Sequence, residues 1–196
     1  LTILCEIAET QPRSAYAAFT QGYRSKFTYF LQTIENFEQF VNPVETVLTE
    51  KFIHALFGTE APNNIPREVL SFNPSEGGLG ITILSKEAGE QFKVSTNITQ
   101  PQVQSIIHQE NTLRSTDFNR KTPQELQNEN KIRRLQQKKD RIEELESEIP
   151  TELKPYIQQA RDKGASSWLN ALPIKEQHLT LNKDEFRDAL RLRYNQ

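Results

Sequence analysis

The sequence predicts a mainly α-helical protein, and three of its features support that fold class. Apolar residues recur at steps of three and four through 12–58. Two later segments, at 122–125 and 182–185, carry the capping signals that open helices. Between them, a highly charged run over 123–149 stops at Pro150. We expect a helical N-terminal bundle, a long charged helix and a small helical C-terminal subdomain.

Composition divides the chain into an apolar part and a polar part. Of the first 57 residues 28 are apolar, whereas only seven of the 33 residues over 118–150 are. The main core therefore lies near the N-terminus and a polar rod follows it. The formal net charge of the 196 residues is −2, so any surface that attracts nucleic acid must be local.

Residue usage also limits the cellular setting. The one cysteine, Cys5, excludes an internal disulfide and a Cys-rich zinc site, and it fits a reducing compartment. No secretory signal opens the chain and no apolar run is long enough for a membrane span, so we expect an intracellular protein without a membrane partner. The chain lacks methionine and starts in mid-pattern, which is typical of a piece of a longer reading frame.

The first two helices are predicted by their apolar faces. One should cover 12–40, and a second should start from Asn42 as N-cap with Pro43 at the first helical position and end at Gly58. Two antiparallel helices that pack through aromatic side chains follow from this pattern. The apolar residues of the first helix are Tyr16, Phe19, Tyr23, Phe27, Phe30, Leu31, Ile34 and Phe37.

Turn residues fill the stretch after Gly58. They surround a short helical turn at 66–71 and end in the glycine-rich segment EGGLG, 76–80. The segment lacks the lysine of a phosphate-binding P-loop, so we interpret it as a structural turn rather than a phosphate site. Further helices are expected near 86–95 and 101–109, which completes a first domain over 1–110.

The second domain, 111–150, should be a linker followed by the long charged helix. Thr122 and Glu125 form a capping box at its start. Leu135, Ile142 and Ile149 are spaced by seven, but Lys138 interrupts the heptad pattern. The cations of this charged helix could bind phosphates, pair with a partner helix or simply face solvent. They are Lys131, Arg133, Arg134, Lys138, Lys139 and Arg141.

The third domain, 151–196, should hold a helix over 151–163 and two short helices over 166–172 and 183–194. Asn182 and Glu185 form the capping box of the last one. We expect Trp168 to fill the space between the short helices as a core anchor, although it could instead stack on a base or a partner. The anchors of this small core are Trp168, Leu172, Phe186 and Tyr194.

Residue chemistry offers no catalytic constellation. His54, His108 and His178 are far apart in the sequence and have no cysteine or histidine at ligand spacing, so we expect neither a metal nor a cofactor in this chain. Arg24 and Lys26 stand beside Tyr29 in an aromatic row, a mixture of cation and ring that favours nucleic acid. The competing interpretation is that helical spacing turns most of these rings into the core.

Several stretches in matching order resemble the region behind the polymerase core in reverse transcriptases of animal non-LTR retrotransposons. They cover nearly the whole chain. They are AETQPRSAYAAFTQGYRSKFTYFLQTI, KFIHALFG, NPSEGGLGI, KGASSWLNALPI and LTLNKDEFRDALRLRYN.

The resemblance implies that 1–110 is a thumb-like domain that grips an RNA/DNA template-primer duplex, and that the rest connects it to further parts of the polymerase. Its thumb-like positions include Tyr16, Phe19, Tyr23, Arg24, Lys26, Phe27 and Tyr29, and its turn is Glu76 to Ile81. The palm's aspartate pair, which would hold Mg²⁺, is missing, so this chain alone should not polymerise DNA.

The predicted nucleic-acid contacts are therefore Arg24, Lys26 and Tyr29 on the first helix, and Arg133, Arg134, Lys138 and Lys139 on the charged helix. Two alternatives stay open. The charged helix over 123–149 could make this a structural or interaction protein that pairs with a partner helix, or the chain could be a decayed relic of a retroelement.

Overall fold

Helices build the N-terminal part as two long rods. The computed structural model describes residues 1–58, 65–109 and 123–196, and no strand forms in these ranges. A short first helix leads into the first rod, which contains a wider π-helical turn, Phe19–Tyr23. The helices are α1, Thr2–Thr10, α2, Pro12–Ala18, and, beyond the π turn, α3, Arg24–Thr33.

The second rod starts earlier than predicted. The chain reverses at 34–37, where Asn36 adopts a left-handed conformation with φ of 54°, and the rod begins at once. Its parts are α4, Glu38–Val47, a π turn, Leu48–Phe52, and α5, Ile53–Phe57. The predicted cap at Asn42 is therefore wrong, and Pro43 lies inside α4. Pro43 is the sixth residue of α4, where a proline removes one backbone hydrogen bond and crowds the carbonyl of Gln39, yet the helix continues through it.

The middle of the chain holds one long helix instead of two. It is preceded by α6, Arg67–Ser71, as predicted, and by a 3₁₀ turn, Pro74–Glu76. Then α7, Leu84–Ile107, runs without interruption through Pro101. The two predicted helices near 86–95 and 101–109 are therefore one.

The C-terminal part begins with the long charged helix, as predicted. It is α8, Pro123–Glu148, and its predicted cap, Thr122, lies outside the described residues, as does the boundary at 110. Three helices follow: α9, Lys154–Arg161, α10, Ser167–Asn170, and α11, Lys183–Arg193. The capping box of α11 is confirmed. The Asn182 side chain accepts from the Glu185 amide at 2.9 Å, and the Glu185 carboxylate accepts from the Asn182 amide at 2.8 Å.

A shared core joins the two ends of the chain. The rings of Phe19 and Phe52, one from each π turn, lie 5.0 Å apart. Phe186 of α11 packs on Tyr16, and Tyr194 packs on Phe57, at centroid distances of 6.0 and 5.9 Å. We expected a separate small core in 151–196, but its apolar residues belong to the same cluster as those of the N-terminal rods.

The predicted C-terminal anchors are correct except for one. Phe186 and Tyr194 are fully buried, and Trp168 meets Phe186 edge to face at 5.8 Å while remaining half-buried. The prediction of Leu172 as an anchor is wrong, because 51 % of the surface of this residue is exposed. The chain leaves the helix at Ala171, so Leu169 turns inward instead and is buried.

Side chains from distant helices bind the backbone of the loop that follows α6. Tyr16 donates to the Leu79 carbonyl at 2.8 Å, and the Tyr194 hydroxyl donates to the Gly77 carbonyl at 3.0 Å. Arg193 donates to the Pro74 and Gly78 carbonyls, at 2.7 and 3.3 Å. Because residues 77–81 are buried, these bonds replace water for oxygens that would otherwise lack a partner. The glycine-rich segment is a structural turn.

Two more arginines bind backbone carbonyls. Arg67 reaches the Ile81 and Thr82 carbonyls at 2.6 and 3.2 Å and pairs with Glu45 at 2.8 Å. Burial lowers the pKa of Arg67, and the Glu45 carboxylate opposes that effect. Arg13 donates to the Leu169 carbonyl at 3.0 Å and so holds α10 against α2. The guanidinium, with five donors, suits this multiple role.

Gly78 should tolerate no side chain. A Cβ atom there would lie 2.1 Å from the Phe72 carbonyl oxygen and 2.5 Å from that of Val69. We expect Gly78→Ala to lower the free energy of unfolding by about 3 kcal/mol, because two backbone segments would have to move. Urea titration, with unfolding monitored by circular dichroism, measures this difference in the free energy of unfolding.

The matched control is Gly89→Ala in α7, where a Cβ atom would meet nothing within 4 Å. That change should stabilise the protein by about 0.5–1 kcal/mol, because alanine favours a helix. Equal stability of the two variants would contradict the packing described for the loop.

Tyr194 should make stability fall in alkali. Burial raises its pKa to about 12, whereas an unfolded tyrosine titrates near 10. Between those pH values the unfolded chain releases a proton that the folded chain keeps, so the stabilisation present below about pH 10 is lost as pH rises. Tyr194→Phe should cost about 1 kcal/mol at neutral pH and show a shallower alkaline decline in urea unfolding. An identical alkaline decline in the parent protein and in Tyr194→Phe would contradict this role of Tyr194.

Candidate nucleic-acid interface

The structure distributes the predicted nucleic-acid contacts over three places. Arg24, Arg134 and Lys138 line one groove between α7 and α8. Lys26 and Tyr29 lie on α3 but are not among the residues that line this groove. Arg133 and Lys139 are exposed on α8 and also do not line it. The predicted nucleic-acid contacts therefore do not form one site. The groove contains three of them, more than either of the other two places.

The groove is an open space of about 610 Å³. One wall is α7, which contributes Val94 and Ile98, and the other is α8. Its floor is the chain from Ser71 to Asn73 together with Arg24. The groove is thus open, lined by both polar and apolar side chains, and placed against the loop that Arg67 and Arg193 hold.

Four cations of α8 line the groove at intervals of three, four and three residues. They are Lys131, Arg134, Lys138 and Arg141. This spacing keeps them on one face of the helix. Sequence reasoning noted these residues within the charged run but did not single out Lys131 and Arg141. The spacing was the signal that could have separated them from Arg133 and Lys139.

Carboxylates neutralise two of the four. Lys138 pairs with Glu76 at 2.6 Å, and Arg141 pairs with Glu68 and, at 3.0 Å, with Glu144. Lys131 and Arg134 make no ion pair within the described ranges. The positive charge that remains for a ligand therefore concentrates at these two residues.

Arg24 adds a third cation with a fixed orientation. Its Nη1 donates to the Gly80 carbonyl at 3.1 Å, and Arg24 as a residue is exposed. Glu87 and Glu90 of α7 stand on the opposite wall from α8. A negatively charged ligand would therefore lie towards α8 and Arg24 and away from α7.

A row of rings occupies the outer side of α3 and the turn after it. Tyr29 is 66 % exposed and meets Phe30 edge to face at 5.6 Å. Phe37 links Phe30 to Phe40, with centroid distances of 5.8 and 6.1 Å. Lys26 stands 5.9 Å from the centre of the Tyr23 ring. The expectation that spacing buries most of these rings is wrong for Tyr29 and Phe30, which are exposed, and Phe40 is exposed as well.

No metal site or membrane span emerges from the part of the chain that the structure describes. Within it, no group of three or more His, Cys, Asp and Glu side chains could hold a metal ion. None of the described helices is both long and apolar enough to cross a membrane.

Comparison with protein-family models, with curated proteins and with solved structures found no match to this chain.

Proposed function

We propose that this protein binds the sugar-phosphate backbone of nucleic acid as a non-catalytic part of a retroelement reverse transcriptase. The ligand is the RNA/DNA template-primer duplex that the sequence resemblance implies, and the partner is the remainder of the polymerase chain. The observation that carries the proposal is the groove in which Arg24 lies together with Lys131 and Arg134.

Phosphate binding needs cations that are accessible and not already neutralised. Lys131 and Arg134 meet this condition, whereas Lys138 and Arg141 are paired with carboxylates. An ammonium or guanidinium group that replaces a counterion at a phosphate gains free energy from release of that counterion. Such contacts do not depend on base sequence. Binding should therefore be independent of sequence and sensitive to salt.

The Lys131→Gln/Arg134→Gln variant should bind an RNA/DNA hybrid about tenfold more weakly than the parent protein at low salt. Because two phosphate contacts are lost, the slope of log affinity against log salt concentration should fall by about 2. Fluorescence anisotropy with a labelled hybrid across a salt series measures both quantities.

Arg133→Gln/Lys139→Gln is the matched control, since it removes the same charge from the same helix outside the groove. It should change affinity much less. Equal loss in the two double variants would show that charge on α8 acts without the groove. Absence of salt-sensitive binding by the parent protein would overturn the proposal, and a dimer without nucleic-acid affinity in sedimentation would favour helix pairing instead.

Glu76→Gln should strengthen binding. The change removes the charge that neutralises Lys138 while the amide keeps an oxygen that can accept the hydrogen bond from the Asn73 backbone. We expect affinity for the hybrid to rise about two- to threefold at low salt, and the gain should disappear at high salt.

The control for this variant is Glu143→Gln, whose carboxylate lies 3.8 Å from Lys139 outside the groove. Its affinity should change less than that of Glu76→Gln. A decrease in affinity on Glu76→Gln would contradict the role given to Lys138.

A further inference from the structure

A second, smaller cavity opens beside the groove. It has a volume of about 300 Å³ and lies between the first rod, the loop that starts at Asn73, and α10. Arg24 and Asn73 line both spaces, so the cavity continues from the groove. The polar side chains around it are Thr20, Gln21, Arg24, Asn73, Ser75 and Asn170.

Hydrogen bonds within the protein orient these groups but do not saturate them. The Gln21 Nε2 donates to the Asn170 carbonyl at 3.1 Å, which leaves its Oε1 as an acceptor. Thr20 donates to the Tyr16 carbonyl at 2.9 Å and keeps its lone pairs. Ser75 is exposed, and its hydroxyl can both donate and accept. The cavity therefore offers donors and acceptors next to one cation.

The chemistry of the lining restricts the ligand. No carboxylate is among the described residues that line the cavity, so an anion is not repelled. The lining ring, Tyr16, is buried and its hydroxyl is bound to the Leu79 carbonyl, so it offers no face on which a base could stack. The cavity thus suits a small hydroxyl-bearing group that is attached to a phosphate.

We propose that this cavity binds the ribose 2′-hydroxyl of the RNA strand while Arg24 binds the adjacent phosphate. The inference rests on the proposed function, since the groove must first hold the duplex. A hybrid with A-form geometry displays its 2′-hydroxyls in a wide and shallow minor groove, and Gln21 and Ser75 line the cavity that would receive one of them. The cavity makes the binding specific for a strand that carries 2′-hydroxyls.

The experiment compares two hybrids of the same sequence and length, one with natural RNA and one whose RNA strand carries 2′-fluoro groups. A 2′-fluoro sugar keeps the A-form pucker and the phosphate charges, but it cannot donate a hydrogen bond. We expect the parent protein to bind the 2′-fluoro hybrid about three- to tenfold more weakly. Equal affinity for the two hybrids would overturn the inference.

Two variants assign the effect to the cavity. Gln21→Leu and Ser75→Ala should each reduce the ratio of the two affinities towards one. Gln159→Leu, an exposed glutamine on α9 outside the cavity, should retain the ratio of the parent protein. If both cavity variants keep the affinity ratio of the parent protein, the inference is overturned, even though the parent protein discriminates between the two hybrids.

The two proposals fail in different ways. Loss of salt-sensitive binding to both hybrids would remove the proposed function and this inference with it. Salt-sensitive binding that is reduced in Lys131→Gln/Arg134→Gln but equal for the two hybrids would retain the groove and exclude 2′-hydroxyl recognition.

Discussion

The loop at 74–82 is the constraint on which the rest of the structure depends. Residues 77–82 of this loop are buried, and an unpaired buried carbonyl is costly. Side chains from α2, α6 and α11 supply the donors: Tyr16, Arg67 and Arg193. Each comes from a different element, so satisfying one loop also fastens three helices around it. The two ends of the chain meet here, since Tyr194 binds the same loop.

The same loop shapes the surface that we propose for nucleic acid. Gly80 orients Arg24, and Glu76 holds Lys138 of the charged helix. The loop therefore brings a cation of the first rod and a face of α8 to one groove while neutralising part of its charge. A network that looks purely structural thus determines which cations remain for phosphates.

Prediction from sequence succeeded where a local rule acts alone. The Asn182 capping box uses atoms within one turn, and its geometry is as expected. Pro43 and Pro101 were misleading signals for where helices begin. A proline inside a helix costs free energy, but it does not exclude a helix that is retained by packing. The prediction of Leu172 as an anchor is wrong because the inward face of a four-residue helix is decided by what it packs on, and in the structure Leu169 is the buried leucine.

The sequence by itself determined the helical class, the long charged helix and the apolar identity of anchors such as Phe186, since propensity, periodicity and capping act over neighbouring residues. Only the tertiary structure decided that Arg24 and Arg134 share a groove and that Lys138 is neutralised. It also decided that Tyr29 faces solvent. These outcomes depend on distances between residues far apart in the chain, and electrostatic pairing acts through space.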